Sequence, residues 1–321
     1  MKRWLAFALL LPSLLSAQAR ERPVVRVPPP SGFRVFFITD MEGMASVVFN
    51  REIISGFEGE RYRGTDSPDY WRFYRDLFTR EVNAAIAGAR RGGARSFVVN
   101  EGHGGNLFAN LLPWDLDTAA LLVRGYPKPM IMTSGLDSSA DAVMFIGAHA
   151  NAGTPGVIAH TYAFDRFTVN GRVLNETGIN ALVAGEYGVP VVLVSGDDEV
   201  VRQAREQLGD RVVTVTTKIA LGRSSAITHS PAVVRQMLRD SAAVAVQRAL
   251  RGEFRPFTME RPYQVEFVVR RSFAPAILAA VDTVATRWNL ERTGERTYRY
   301  TAHDARDIAL LLDAIELAVL R

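Results

Sequence analysis

Four short apolar runs constrain the fold of this chain more than any other feature. Residues 34–39, 95–99, 141–147 and 189–195 are each of strand length, and each stops at a polar, glycine-containing segment. Between the first two lies a helical pattern, with Phe78, Val82, Ala85, Ile86 and Ala89 at core spacing and Gly92-Gly93 as its stop. A second helix is predicted over 176–187, closed by Gly188. A third opens at Ser230-Pro231, with serine as N-cap, proline at the first helical position, and Val233, Val234, Met237 and Leu238 turned inward. Strands alternating with helices predict βαβ units, hence an α/β fold with a mainly parallel sheet flanked by helices. The last third reads differently. Tyr263, Val265, Phe267 and Val269 alternate as a strand, a helix follows near 274–287, residues 297–301 form a second strand, and a final helix carries Ile308, Leu311, Leu312, Ile315 and Val319 on one stripe. This βαβα unit predicts a smaller α+β domain over 216–321, beside a metal-binding catalytic domain over 34–215.

The amino terminus stands apart from both. Lys2 and Arg3 precede an apolar run from Trp4 to Leu15, and Ser16-Ala17-Gln18-Ala19 supplies a small-residue cleavage pattern. The run is shorter than the roughly 20 residues a spanning helix needs, so residues 1–19 read as a signal peptide. A secreted or periplasmic protein follows, with no stable membrane insertion after cleavage. Residues 20–33, with Pro28-Pro29-Pro30, form an extended linker into the fold. Removing residues 1–19 takes away Lys2 and Arg3 and no acid, lowering the formal charge from +4 to +2. A nearly neutral chain without a basic block gives no support to nucleic-acid binding. The chain has no cysteine, which excludes disulfides, thiolate ligands and cysteine nucleophiles.

In open α/β sheets ligands bind beyond the carboxyl ends of the strands, so the residues after each run matter most. The first run ends in Asp40-Met41-Glu42-Gly43; on a strand, i and i+2 lie on one side, so both carboxylates could meet a metal. The second ends in Asn100-Glu101-Gly102-His103, the third in Ala148-His149-Ala150 with His160 shortly beyond, the fourth in Gly196-Asp197-Asp198. Each taken alone has a plainer account. Asp40 and Glu42 could be a solvated turn, the histidines satisfied loop residues, Glu176 a first-turn carboxylate, and Asp197 and Asp198 helix caps. Together, two carboxylates and two imidazoles without a thiolate describe a catalytic rather than a structural zinc environment.

Five ordered segments carry a family resemblance: Asp40-Met41-Glu42-Gly43, Val99-Asn100-Glu101-Gly102-His103, Gly147-Ala148-His149-Ala150, residues 154–160 ending in His160, and residues 175–185 opening with Asn175-Glu176. Val194-Ser195-Gly196-Asp197-Asp198 and Arg223-Ser224-Ser225-Ala226 fit as well. Together they resemble the zinc-dependent D-aminopeptidase family of the dipeptide-transport-operon type, peptidase family M55. The resemblance implies a pair of zinc ions held by Asp40, Glu42, His103, His149 and Glu176, with His160 catalytic. It further implies short peptide substrates, including those with amino-terminal D-residues, and a ring-like homo-oligomer, decameric by the same resemblance, with active sites facing an inner chamber. Glu101-Gly102 stands where the family pattern has Asp-Ser, residues 44–71 match poorly, and export sets the chain apart from cytoplasmic members.

The expected chemistry is two-metal activation of water for peptide hydrolysis, with Asp40 as the bridge and His160 in an acid/base role. Two alternatives use the same residues: a two-metal hydrolase of another amide or of a phosphoester, and a non-catalytic peptide-binding protein.

Overall fold

Successive residues of β1 (Arg34–Thr39) point to opposite faces of a sheet that is covered on both. Val35 and Phe37 belong to one buried cluster, Phe36 and Ile38 to the other. That is why the run is apolar throughout rather than alternating. The computed structural model describes residues 28–54 and 68–319. The signal peptide expected at 1–19, linker residues 20–27 and residues 55–67 of the poorly matching stretch lie outside the described residues.

From β1 the chain continues through α1 (Pro68–Gly92), β2 (Ser96–Glu101), β3 (Ala120–Val123), β4 (Ala142–Ala148), β5 (Phe164–Val169) and β6 (Arg172–Val173). It then forms α2 (Glu176–Glu186), β7 (Val191–Asp197), α3 (Asp198–Leu208), β8 (Val213–Gly222), β9 (Ser225–Thr228) and α4 (Pro231–Leu250). Last come β10 (Tyr263–Val269), α5 (Pro275–Trp288), β11 (Glu291–Arg292), β12 (Thr297–Ala302) and α6 (Ala305–Val319). The larger sheet has the order β3-β2-β1-β4-β7-β8-β9 and is parallel except for β9. An α/β fold with a mainly parallel sheet flanked by helices is therefore the architecture found. Successive strands leave β1 in one direction and β4 in the other, so the sheet has its switch point between these two, the place where such sheets form a ligand crevice.

On one face α1 and α4 pack against each other and against the sheet, with Val234 and Leu238 of α4 fully buried. Val233, expected to point inward, is 46% exposed, because the stripe through Val234 and Leu238 already occupies the inner side. The other face shares its core with α2, α6 and a smaller antiparallel sheet of order β11-β12-β10-β5-β6, where Phe164, Phe167, Phe267 and Tyr298 pack ring against ring. The division expected at 215/216 runs through β8, and β5 and β6 leave the 34–215 segment to join the smaller sheet. Among the described residues, no helix is long and apolar enough to cross a membrane.

Candidate metal centre

The turn that follows β1 is built by close backbone approach. Asp40 N donates to Ile146 O at 2.8 Å and Gly43 N to Gly147 O at 2.7 Å, so the turn rides on the end of β4. A Cβ at Gly43 would lie 2.0 Å from Ala148 O, and one at Gly147, where φ is +79°, 2.1 Å from Asp40 O. Only glycine fits either place. Since β1 ends at Thr39, this turn and not a strand pleat sets Asp40 and Glu42 side by side. His103 follows β2, His149 follows β4, and both face the same crevice. Glu176 is the first residue of α2, whose N-cap Asn175 accepts from Gly178 N. His160 lies in the loop before β5, between Ile158 (φ 52°) and Tyr162 (φ 42°). A left-handed β-branched residue costs about 1–3 kcal/mol, and surrounding bonds hold it here. Ile158 N donates to Arg223 O at 2.9 Å and Tyr162 N to Glu176 Oε1 at 2.6 Å.

Each of the three imidazoles commits one nitrogen to a backbone carbonyl. His103 Nε2 donates to Ile53 O at 2.9 Å, His149 Nδ1 to Ala150 O at 3.0 Å, and His160 Nδ1 to Ile158 O at 2.8 Å. A carbonyl can only accept, so these contacts select the tautomer and turn the other nitrogen's lone pair toward carboxylates. His103 Nδ1 lies 3.3 Å from Asp40 Oδ1 and 3.0 Å from Glu42 Oε2. His149 Nε2 lies 3.5 Å from both Asp40 Oδ2 and Glu176 Oε1, is buried, and has no hydrogen-bond partner. His160 Nε2 is 3.9 Å from Glu42 Oε1 and from Glu176 Oε1, and its ring stacks on His149 at 3.9 Å and 11°.

Lone pairs facing lone pairs need a cation between them. Among the described residues the donors form three overlapping groups, Asp40/Glu42/His103, Asp40/His149/Glu176 and Glu42/His149/His160, and in each the donor atoms lie within 4.8 Å of one another; Asp40 is shared by the two that are wholly buried. Oxygen and imidazole donors without thiolate suit zinc, so the residues present fit the metal. Without it, protons take the cation's part. Burial alone lowers His103, but Glu42 and Asp40 outweigh it and push the imidazole up to about 10. His149 is likewise raised, by Glu176 and Asp40 against burial. Burial would raise Glu42, yet His103 holds it well below the usual carboxylate range, while burial and Glu42 push Asp40 up. His160 goes the other way, lowered to about 4 by burial and the charge of His149. It is also the most open of the six: its side chain is 28% exposed, at a cleft of about 580 Å³ that Glu42 also reaches.

Several residues near the centre were given no place in the metal site by the sequence. Lys218 of β8 is fully buried and donates to the carbonyls of Glu42, Met44 and Val47, tying down the turn after β1. Its being one of only two lysines beyond residue 19 was the available signal. Glu101 points away from the centre and accepts from Leu111 N at 2.9 Å and Asn110 N at 3.1 Å. Asn110 in turn donates to His103 O, so Glu101 shapes the loop that carries His103. Asp197 caps α3 by accepting from Val200 N, as the plainer account has it, and also accepts from Val157 N at 2.7 Å. Asp198 accepts from Ala220 N.

Comparison with known proteins gives a consistent picture. A family model described as D-aminopeptidase, peptidase family M55, matches residues 33–314. A D-aminopeptidase of Bacillus subtilis (strain 168) is 34% identical over 238 residues, which span 73% of this chain and 81% of that protein. The fold is similar, with a TM-score of 0.78 and 27% identity, to a solved structure described as the Zn-dependent D-aminopeptidase DppA from Bacillus subtilis, a self-compartmentalizing protease. That match covers 90% of this chain and 98% of the other.

Proposed function

The chain belongs to the D-aminopeptidase family of metallopeptidases, and we propose that it uses zinc at the Asp40, Glu42, His103, His149 and Glu176 cluster to release the amino-terminal residue of short peptides, including D-residues. The observation that carries this reading is the sharing of Asp40 between two donor groups, beside a buried His149 Nε2 with no partner. Two ions would be held, one by Asp40, Glu42 and His103 and one by Asp40, His149 and Glu176. When bound, zinc supplies Lewis acidity and acidifies water near neutral pH. The protein's own groups do the rest. With Glu42 and Glu176 committed to the metals, the amino-terminal end of the substrate would meet the centre as the neutral amine, and the burial of the cluster keeps bulk water from screening the interactions there. His160, neutral and with Nε2 bare toward the cleft, takes a proton from the attacking water and returns it to the leaving amine. The carbonyl of Ile158 holds that ring in the tautomer the transfer needs.

The reading is tested by metal content. The mature protein should hold two equivalents of zinc, and Asp40→Ala should fall to nearly none, with release of D-alanine from D-alanyl peptides lost in parallel and lost equally on chelation. Zinc content unchanged by the substitution would refute the assignment of Asp40. Homo-oligomeric assembly is part of the same proposal, supported by the likeness to a self-compartmentalizing protease. Secreted or periplasmic localisation rests on residues 1–19 alone, and the amino-terminal residue of the mature protein decides it.

A further inference from the structure

The cleft beside the centre is chemically lopsided. Its metal-centre end presents the Glu42 carboxylate, while Arg223, Arg270 and Arg271 line it elsewhere. The arginines come from different sheets: Arg223 from the turn between β8 and β9 of the larger sheet, Arg270 and Arg271 from the segment directly after β10 of the smaller. Two are anchored without being neutralised. Arg223 Nη1 donates to Ala159 O at 3.0 Å and Arg270 Nη2 donates to Tyr162 O, carbonyls that bracket His160 in sequence. Among the described residues, no carboxylate oxygen lies within 4.0 Å of any of the three guanidinium groups; buried Glu316, raised to about 7 by burial, feels Arg270 only at longer range. Asp165, the other acid lining the cleft, accepts from the backbone N of Arg271 at 2.9 Å. Positive charge is thus held within reach of the reacting centre and left with donors to spare. The segment Arg223-Ser224-Ser225-Ala226 was conspicuous in the sequence and had no chemistry assigned to it.

A cleft with the metal centre at one end and guanidinium groups beyond it suits a peptide that brings its amine to the centre and its carboxylate to the arginines. We propose that Arg223 and Arg270 form a subsite for the free α-carboxylate of the substrate, so that the enzyme selects short peptides whose carboxyl terminus is unblocked. The inference rests on the aminopeptidase reading and adds the other end of the substrate to it. With the amino-terminal end at the metal centre, an extended peptide places its carboxylate about 3.3–3.6 Å further on per residue, so a few residues take it to the arginines. The cleft, about 580 Å³, has the capacity of a small-molecule site rather than of a groove for a folded chain. The planar guanidinium fork matches a carboxylate with two parallel hydrogen bonds, which a terminal amide cannot accept in the same charged form.

The test compares D-alanyl-D-alanine with its carboxyl-terminal amide on the zinc-loaded, full-length mature enzyme. A charge-assisted contact gives the free acid an advantage in kcat/KM of about tenfold to a hundredfold. Arg223→Gln and Arg270→Gln should each cut that ratio severalfold through the KM of the acid, and the double variant should bring it to near unity. Arg270→Lys should restore part of it. Because Arg270 also anchors the Tyr162 loop, a purely structural role would lower both substrates together and leave the ratio standing; that result overturns the proposal, as does a wild-type enzyme indifferent to the amide. If the wild type cleaves neither compound, the aminopeptidase reading falls, and calorimetric affinities then decide the subsite. Acid-selective binding abolished by both glutamine variants keeps it, and equal affinity for acid and amide removes it.

Discussion

His149 Nε2 concentrates the chemistry of the centre in one atom, since it is buried, faces two carboxylates and has no proton partner in its assigned tautomer. The consequence is a pH dependence specific to the metal-free protein. His103 is raised from 6.5 to about 10, so its proton contributes stability that is full below about pH 6.5 and is lost as pH rises through about 10. Glu81, buried and raised from 4.5 to about 8, loses its contribution between those values for the same reason. Lys128, lowered by burial to about 7, runs the opposite way above pH 7 and offsets part of the loss. In chelator, the melting temperature should therefore fall between pH 6.5 and 8, where each extra proton on the folded state contributes a slope of about 1.4 kcal/mol per pH unit. Zinc held as proposed would replace the proton facing His103, so the loaded protein should show a shallower fall; parallel curves in scanning calorimetry would refute this. Residue by residue, the candidate cluster was legible because its members end apolar runs or open a helix, positions where a polar side chain has little packing work to do. Arg223 and Arg270 were not assignable that way, since their meeting depends on two sheets sharing one cleft.

At the scale of elements, the parallel strands that carry the centre could be read directly, because strands buried on both faces are continuously apolar. β3, β5 and β8 could not. β3 is a half-exposed edge strand, β5 has Asp165 and Arg166 within it, and β8 mixes threonines with Lys218. Each owes its state to a neighbouring strand rather than to its own pattern. Lys218 shows what such a strand contributes. Its ammonium satisfies carbonyls at Glu42, Met44 and Val47 in a turn with no regular hydrogen-bond ladder, and Thr217 Oγ1 donates to Gly43 O at 2.6 Å beside it. Lys218→Met keeps the length of the side chain and strands the carbonyls, at about 1–3 kcal/mol each when left unsatisfied. The variant should unfold at lower temperature and bind zinc about 10–100-fold more weakly, because groups that orient metal ligands carry effects of that size. Competition against a chelator of known affinity measures it. Undiminished zinc affinity in a destabilised protein would reduce Lys218 to a purely structural role.

At the scale of the molecule, the larger sheet ends in an exposed hairpin whose apolar residues have nothing over them among the described residues. Ile219 is 45% exposed, Leu221 66% and Ile227 60%, all on β8 and β9. β9 is an edge strand only four residues long, which limits strand-to-strand pairing and leaves side-chain burial as its means of association. The same hairpin turn carries Arg223, which anchors the His160 loop through Ala159 O. Assembly through this edge would therefore couple subunit contact to the order of the His160 loop. Replacing Leu221 and Ile227 together by lysine places two charges where apolar area would be buried. Light scattering should then report a smaller particle than the wild-type assembly, with kcat/KM lowered because the Arg223 turn loses its support. A wild-type protein that is monomeric would refute assembly itself. A variant that keeps the wild-type mass would move the interface away from this edge, leaving the hairpin's apolar residues to another role.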